Sequence, residues 1–130
     1  VYETRPVGGP ARQRDYLNAV IRARTNGYGP QDLLKILKAI EKRMRRCASG
    51  KRNAPRPIDL DIIFFGKKIL RGPRLVIPHP RFRQRVFVLR PLADIAPRWR
   101  DPVTGQTAAA LLKGLKDRGC WRKLDEKIVP

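Results

Sequence analysis

Two acidic residues inside an apolar run are the first feature that could do chemistry. The β-branched and aromatic residues of Arg56–Phe65 predict a β-strand, and within it a single residue separates Asp59 from Asp61. Because alternate residues of a strand share a face, both carboxylates are expected to project the same way, with Cα atoms about 6.5 Å apart. Such a pair can hold a divalent cation, and Mg²⁺ is commonly bound by carboxylates together with substrate phosphates. The alternative is a half-exposed strand whose outer face is acidic.

Basic and imidazole side chains lie near this pair in the sequence. Arg52 and Arg56 come just before it, where a polyphosphate ligand would need cations. His79 lies between two prolines, which favour an extended backbone, and it either hydrogen-bonds a ligand phosphate or solvates a loop. From the residue alone, the loop role is favoured. Glu41, a lone acid near the basic end of a helical stretch, is interpreted as an ordinary surface residue.

The overall charge is extreme. Lysine and arginine number 30 against 11 aspartates and glutamates, which gives a formal net charge of +19. Such a balance is typical of nucleic-acid-binding proteins. The basic residues are nevertheless spread along the chain rather than gathered in one arm, and they also suit a polyphosphate substrate. Composition therefore leaves a basic nucleic-acid-binding domain and a phosphate-handling enzyme both open.

Length and residue counts restrict the setting. A chain of 130 residues is expected to form one domain, and it contains no apolar run long enough to span a membrane. Two cysteines cannot build a disulfide framework, which indicates a reduced, cytoplasmic setting. A single histidine argues against a histidine-based zinc site.

The hydrophobic pattern predicts three helices. Apolar residues recur at helical spacing over about Pro30–Arg46, Arg85–Ile95 and Ala108–Arg118. Pro91 should end or kink the second helix. Thr107 is expected to cap the third helix, whose three leucines should be buried: Leu111, Leu112 and Leu115.

Further extended segments are predicted besides the acidic strand. They are Val1–Thr4, Asp15–Arg24 and Ile69–Leu70. Alternate residues from Leu17 to Ala23 are expected to share one face. Trp121 is expected to pack the C-terminal tail, residues 119–130, against the rest of the chain. Helices and strands in this mixed order predict an α+β fold.

Short motifs along the chain, in order, resemble the signature of 6-hydroxymethyl-7,8-dihydropterin pyrophosphokinase, a folate-pathway enzyme. The resemblance runs from Tyr2 to about Asp117 and rests on these residues: Tyr2-Glu3-Thr4, Pro6-Val7-Gly8, Asp15-Tyr16-Leu17-Asn18-Ala19, Ile40-Glu41, Arg46, Arg52, Pro55-Arg56, Ile58-Asp59-Leu60-Asp61, Pro78-His79-Pro80-Arg81, Arg85, Phe87-Val88-Leu89 and Pro91-Leu92. The Pro-Arg-x-x-Asp-Leu-Asp pattern followed by Pro-His-Pro-Arg is highly specific. Several matches in order are stronger than any one alone.

The resemblance implies a ferredoxin-like antiparallel sheet with helices packed on it. It also implies an enzyme that transfers pyrophosphate from ATP to hydroxymethyl-dihydropterin and releases AMP. Two Mg²⁺ ions would be held by Asp59 and Asp61, with catalysis by positioning and charge neutralisation. Arg46 and Arg56 would contact the phosphates, and Arg56 would meet the charge that develops during transfer. Nucleotide contacts are implied for Arg52, Ile62, His79 and Arg85.

The pterin would lie between two aromatic rings by the same resemblance. Tyr16 and Phe87 would present flat faces to the heterocycle. Asn18 can both donate and accept, so it would bind the hydrogen-bonding edge of the pterin. The backbone from Thr4 to Val7 would complete the pocket. From the residues alone, plain core packing is favoured for both rings.

The sequence departs from the family pattern at its start. The family begins with a strand carrying a Gly-Ser-Asn-Leu-Gly stretch and then a helix, and neither is in the given sequence. We therefore expect an N-terminally truncated domain, and an inactive fragment of the enzyme is a further alternative. Ala48 and Asn53 stand where many relatives have arginine and tryptophan, which predicts a different loop closure. A monomer acting on small molecules without a membrane is expected, and the charge also allows non-specific nucleic-acid binding.

Overall fold

The computed structural model describes residues 2–4, 16–48, 58–116 and 121–124. In chain order the elements are β1 (Tyr2–Thr4), β2 (Tyr16–Asn18), α1 (Pro30–Ala48), β3 (Leu70–Arg71), β4 (Val76–Ile77), a 3₁₀ turn (Phe82–Gln84), α2 (Val86–Ile95), α3 (Ala108–Gly114) and β5 (Trp121–Lys123). The strand pairs within these ranges are all antiparallel, so the predicted α+β class is confirmed.

The chain divides into two compact units. The first unit consists of Val1–Ala23 and Pro80–Pro130, and the second consists of Arg24–His79. The residues predicted to bind ligands are shared between the two units. No helix in the described ranges is long and apolar enough to cross a membrane.

A three-stranded sheet of order β2-β1-β5 lies in the first unit. Tyr2 on its central strand is only 3% exposed, and its hydroxyl donates a hydrogen bond to Oδ2 of Asp94 near the end of α2. Burial, reinforced by this hydrogen bond, raises the pKa of Tyr2 to about 12. The hydroxyl therefore stays a donor at neutral pH and ties the sheet to α2. The predicted extended segment at Val1–Thr4 is confirmed for residues 2–4, while β5 was not predicted.

Helices α2 and α3 pack against each other in the same unit. Pro91 was predicted to end or kink this helix, and α2 continues through it to Ile95, so the first of these two alternatives is wrong. Val88, Leu89 and Leu92 on this helix are buried, and this packing outweighs the missing backbone donor of the proline. The buried core of this unit also includes Phe82 and Ala108.

Helix α3 is shorter than predicted. The Oγ1 atom of Thr107 accepts a hydrogen bond from the backbone N–H of Ala110 at 3.1 Å, so the predicted cap is confirmed. The helix ends at Gly114 rather than near Arg118. Leu111, Leu112 and the following Leu115 are half-buried rather than buried, and the residue of this short helix that is fully buried is Ala108 in its first turn.

The second unit contains α1 and a two-stranded hairpin. Helix α1 extends two residues beyond the predicted Pro30–Arg46, and Asp32 in its first turn accepts a hydrogen bond from Gly29 N–H at 3.0 Å. In the hairpin, Leu70 of β3 pairs with Ile77 of β4. A brief strand near Ile69–Leu70 is therefore confirmed with a shift of one residue.

Two predicted strands are wrong in extent. In the predicted strand Asp15–Arg24, only β2 pairs, and Leu17 and Ile21 on the expected apolar face are 66% and 77% exposed. In the predicted strand Arg56–Phe65, residues 58–65 are described and belong to no strand. The alternation of apolar residues and their β-propensity do not show whether a neighbouring strand is present. A strand is defined by its hydrogen-bonded pairing with such a neighbour.

Candidate active site

The two acidic residues both face solvent. Asp59 and Asp61 are exposed, Leu60 between them is half-buried, and Ile62 is buried. The exposure therefore alternates along this segment although it forms no strand ladder. Both carboxylates thus lie at alternate, solvent-exposed positions of the segment.

Glu41 of α1 anchors the backbone between these acids. Its Oε1 accepts a hydrogen bond from the N–H of Leu60 at 2.8 Å, and its Oε2 accepts one from Nζ of Lys38 at 3.0 Å. Glu41 is only 4% exposed, so its interpretation as a surface residue is wrong. The missed signal is spacing, because Glu41 lies at helical intervals from Leu34 and Leu37, which are half-buried.

The ionised form of Glu41 is favoured by these partners. Burial opposes ionisation, but the Leu60 N–H bond and the Lys38 ammonium outweigh it and hold the pKa of Glu41 below its usual range. The residue therefore remains a charged acceptor at neutral pH. Its hydrogen bond with the Leu60 N–H fixes the main chain between Asp59 and Asp61.

This lowered pKa predicts a measurable acid sensitivity. The stabilisation is fully present above the ordinary glutamate pKa of 4.5, and it is lost as pH falls through the lower folded-state value. Glu41→Gln cannot ionise, so its free energy of unfolding should fall less than the wild-type value between about pH 7 and about pH 3. Urea unfolding at both pH values measures the difference. Equal losses in the two proteins would contradict the assignment.

A second hydrogen bond fixes the chain just after Asp59 and Asp61. The carbonyl of Ile63 accepts a hydrogen bond from the backbone N–H of His79 at 2.9 Å. His79 is half-buried and follows β4, whose Ile77 is buried. Ile62, one of the predicted nucleotide contacts, directly precedes Ile63 in the chain. The hydrogen bond therefore links His79 to the segment of the second unit that carries Ile62.

The first unit holds the predicted pterin contacts and Arg85. On the sheet, Thr4 of β1 pairs with Tyr16 of β2, and Nδ2 of Asn18 donates to the Tyr16 carbonyl at 3.4 Å. Tyr16 is 59% exposed, which argues against core packing for its ring. Phe87 is half-buried in the first turn of α2.

Arg85 and Phe87 contact each other at the start of α2. The guanidinium carbon of Arg85 lies 5.5 Å from the centroid of the Phe87 ring, within the range of a cation–π interaction. Arg85 precedes the helix with an extended backbone, and its carbonyl accepts hydrogen bonds from Val88 and Leu89 N–H. The structure thus brings a predicted nucleotide contact and a predicted pterin contact together.

Several predicted site residues fall outside the described ranges. They are Val7, Arg52 and Arg56. Arg46 lies in the last turn of α1 and Thr4 in β1, where only their backbone is described. The phosphate contacts assigned to Arg46, Arg52 and Arg56 remain predictions, as does the role of Val7.

The acidic pair suits a hard cation that brings other oxygen ligands with it. Within the described ranges, no group of three or more His, Cys, Asp and Glu side chains could hold a metal ion. A cation held by Asp59 and Asp61 would have further coordination positions for water or ligand oxygens. Mg²⁺ commonly binds in this way, with one or two carboxylates and substrate phosphates.

Comparison with known proteins gives a family match over most of the chain. Residues 1–97 match the model of the 7,8-dihydro-6-hydroxymethylpterin-pyrophosphokinase family. This range includes every residue predicted above to bind substrate, nucleotide or metal.

Individual relatives carry the corresponding names. A 2-amino-4-hydroxy-6-hydroxymethyldihydropteridine pyrophosphokinase from Synechocystis sp. is 42% identical over 120 residues, covering 92% of this chain and 60% of the relative. A protein of the same name from Pseudomonas aeruginosa is 47% identical over 94 residues, covering 72% of this chain and 57% of the relative. A folate synthesis bifunctional protein from Arabidopsis thaliana is 48% identical over 95 residues, covering 73% of this chain and 19% of the relative. The chain thus spans less than two thirds of these relatives.

Proposed function

The chain belongs to the 7,8-dihydro-6-hydroxymethylpterin-pyrophosphokinase family, and from this premise we propose that it transfers the pyrophosphoryl group of ATP to 6-hydroxymethyl-7,8-dihydropterin and releases AMP. The observation that carries the proposal is the family match over residues 1–97, within which every assigned site residue lies. In this reaction the hydroxymethyl oxygen forms a bond to the β-phosphorus of ATP. The bond from that phosphorus to the oxygen bridging to the α-phosphate breaks, so AMP leaves with the bridging oxygen and the hydroxyl proton passes to water.

The acidic pair is proposed to receive the metal-bound triphosphate. Asp59 and Asp61 are both exposed to solvent, and Glu41 holds the backbone between them. Two Mg²⁺ ions bound there would neutralise phosphate charge and orient the transferred group. Without such cations, the carboxylates would repel the triphosphate, so the pair acts as an ATP site only when metal is present.

Basic residues are proposed to contact the phosphates and the nucleotide. Arg46 and Arg56 would contact the triphosphate, with Arg56 stabilising the charge that develops during transfer. Arg52, Ile62, His79 and Arg85 would bind the nucleotide. The hydrogen bond from His79 N–H to the Ile63 carbonyl supports this grouping, because it fixes His79 beside the segment that carries Ile62.

The pterin is proposed to stack on Tyr16 and Phe87. The large exposure of Tyr16 supports a ligand-facing role, and Asn18 on the same strand offers an amide for the heterocycle edge. Thr4 pairs directly with Tyr16, so the backbone from Thr4 to Val7 is proposed to line the same pocket. Since Arg85 contacts the Phe87 ring, the pterin would use the ring face that Arg85 leaves uncovered.

Removing the Phe87 ring should affect one substrate selectively. Phe87→Ala is expected to weaken pterin binding about tenfold, because ring stacking of this kind contributes roughly 1–3 kcal/mol. ATP binding should change much less. Separate calorimetric titrations of the two ligands measure both effects. Tyr28→Ala, which removes an exposed ring outside the proposed site, is the matched control, and equal weakening of both ligands by Phe87→Ala would contradict the assignment.

The domain is proposed to have a ferredoxin-like fold. Residues 1–130 would form one pyrophosphokinase domain that acts as a cytoplasmic monomer. The antiparallel β2-β1-β5 sheet and the helices packed near it support the fold, and the low cysteine content supports the compartment. One unfolding transition, coincident by tryptophan fluorescence and circular dichroism, is expected for a single cooperative domain.

A basic nucleic-acid-binding domain is the second candidate, and the charge of +19 favours it. Filter binding to random RNA and DNA, run beside a titration with ATP and Mg²⁺, separates the two candidates. Metal-dependent ATP binding that survives an excess of nucleic acid is expected. Tight, salt-sensitive nucleic-acid binding without any Mg²⁺-dependent ATP binding would overturn the enzyme assignment.

A further inference from the structure

An ion pair between Arg83 and the buried Asp101 involves a residue only two positions before the proposed nucleotide contact Arg85. The carboxylate of Asp101 is fully buried, and Arg83 reaches it with two nitrogens, Nε at 2.6 Å from Oδ2 and Nη2 at 2.9 Å from Oδ1. This bidentate geometry fixes the direction of the guanidinium as well as its distance. None of the family motifs in the sequence includes Asp101.

The turn that carries Asp101 is itself tightly bonded. Oδ1 of Asp101 also accepts a hydrogen bond from Val103 N–H at 3.0 Å, and Oδ2 accepts one from the Thr104 hydroxyl at 2.8 Å. The backbone N–H of Gly105 donates to the Asp101 carbonyl at 2.8 Å. Asp101 therefore offers Arg83 a fixed carboxylate, and both oxygens are already held by the turn.

Arg83 transmits this constraint to the start of α2. It lies in the 3₁₀ turn beside Phe82, whose fully buried ring it covers with its guanidinium carbon 4.6 Å from the centroid. The rings of Phe82 and Trp99 are in a T-shaped arrangement, with centroids 6.4 Å apart. The backbone N–H of Arg85 then donates to the Phe82 carbonyl at 3.2 Å. Arg85 is thus two residues from the ion pair, on a turn that Phe82 and Arg83 hold in place.

We propose that the Arg83–Asp101 pair is a positioning device that aims Arg85 at the nucleotide. The inference rests on the proposed function, because it assigns Arg83 and Asp101 a role in the same reaction without contact to substrate. A buried ion pair is weak evidence for stability, since apolar side chains of similar size often stabilise a core as well. The Arg83–Asp101 pair instead fixes the orientation of the 3₁₀ turn. Small displacements of a binding group produce large losses in a reaction that depends on positioning.

Asp101→Asn tests the inference because it keeps the shape and one acceptor oxygen while removing the charge. KM for ATP is expected to rise about tenfold, with kcat and the KM for the pterin changed less than about twofold. Arg83→Lys keeps the cation but loses the planar fork, and it should raise KM for ATP in the same way. If Asp101→Asn does not fold, as judged by its thermal transition, Arg83→Lys carries the test.

Arg100→Gln is the matched control on the same turn. It removes an arginine that bonds the Gly105 carbonyl at 2.9 Å, and it leaves the Arg83–Asp101 contact in place. Its kinetic constants should equal those of the wild type. Folded Asp101→Asn and Arg83→Lys proteins with wild-type KM for ATP would overturn the inference, as would equal losses in kcat and in both KM values.

The wild-type protein separates this inference from the proposed function. A wild type that neither binds ATP with Mg²⁺ nor releases AMP would contradict the proposed function, and with it the role of the pair. A wild type that binds ATP without turnover still tests the pair, because calorimetry should then show about tenfold weaker ATP binding in Asp101→Asn. Unchanged affinity in that titration would overturn the inference alone.

Discussion

Asp61→Asn is expected to lower the rate of AMP release from ATP by about a thousandfold. An asparagine keeps the size of the side chain but removes the negative charge and one hard oxygen ligand that Mg²⁺ requires. With the cation weakly held, the charge on the triphosphate is no longer neutralised during transfer. A discontinuous assay of AMP at saturating ATP and hydroxymethyl-dihydropterin measures the effect, and raising the Mg²⁺ concentration should recover part of the rate.

Asp32→Asn provides the matched control for this substitution. Asp32 is also an exposed carboxylate of the second unit, but its partner is the backbone N–H of Gly29 at the start of α1. Its replacement should leave AMP release close to the wild-type rate. Near-normal AMP production by Asp61→Asn, at an unchanged Mg²⁺ requirement, would contradict the metal assignment.

Glu41→Ala should reduce both stability and turnover. The change leaves the N–H of Leu60 without its acceptor, and an unsatisfied group of this kind costs about 1–3 kcal/mol of unfolding free energy. It also releases the backbone between Asp59 and Asp61, so kcat/KM is expected to fall about a hundredfold. Urea unfolding measures the first effect and steady-state kinetics at a temperature where the variant is folded measures the second.

Lys38→Gln distinguishes the two contacts of Glu41. It removes the ammonium that pairs with Oε2 but leaves the Leu60 contact at Oε1. Lys38 is largely exposed, and such pairs contribute about 0–1 kcal/mol, so both stability and turnover should stay near wild-type values. A Lys38→Gln protein as impaired as Glu41→Ala would assign the effect to the ion pair rather than to the anchored backbone.

The sequence predicted helices better than strands, and the reason lies in which partners each needs. Helix α1 was predicted to within two residues, because its apolar spacing and its backbone bonds are both local. The predicted strand Asp15–Arg24 is longer than the observed β2 at Tyr16–Asn18, and β5 at Trp121–Lys123 was not predicted. Both β2 and β5 depend on pairing with β1, and β5 lies far from β1 in the sequence. Local alternation carries no information about such a neighbour.

The site shows the same division between local and tertiary information. The acidic pair could be found from its spacing, and both residues are exposed as an alternating segment requires. The burial of Glu41 and Asp101 could not be predicted so readily, because the partner of each carboxylate is distant in the sequence. The partner of Glu41 is the Leu60 N–H, and the partner of Asp101 is Arg83. Charged residues are seldom fully buried without partners, so composition alone favoured a surface interpretation for Glu41.

The most direct measurement is phosphorus NMR of the full chain incubated with ATP, Mg²⁺ and 6-hydroxymethyl-7,8-dihydropterin. AMP and a pterin diphosphate are expected in equal amounts, neither should form without Mg²⁺ or without the pterin, and Asp61→Asn should form almost none. ADP with inorganic phosphate in their place, or no consumption of ATP by a folded wild-type chain, would contradict the proposed pyrophosphoryl transfer.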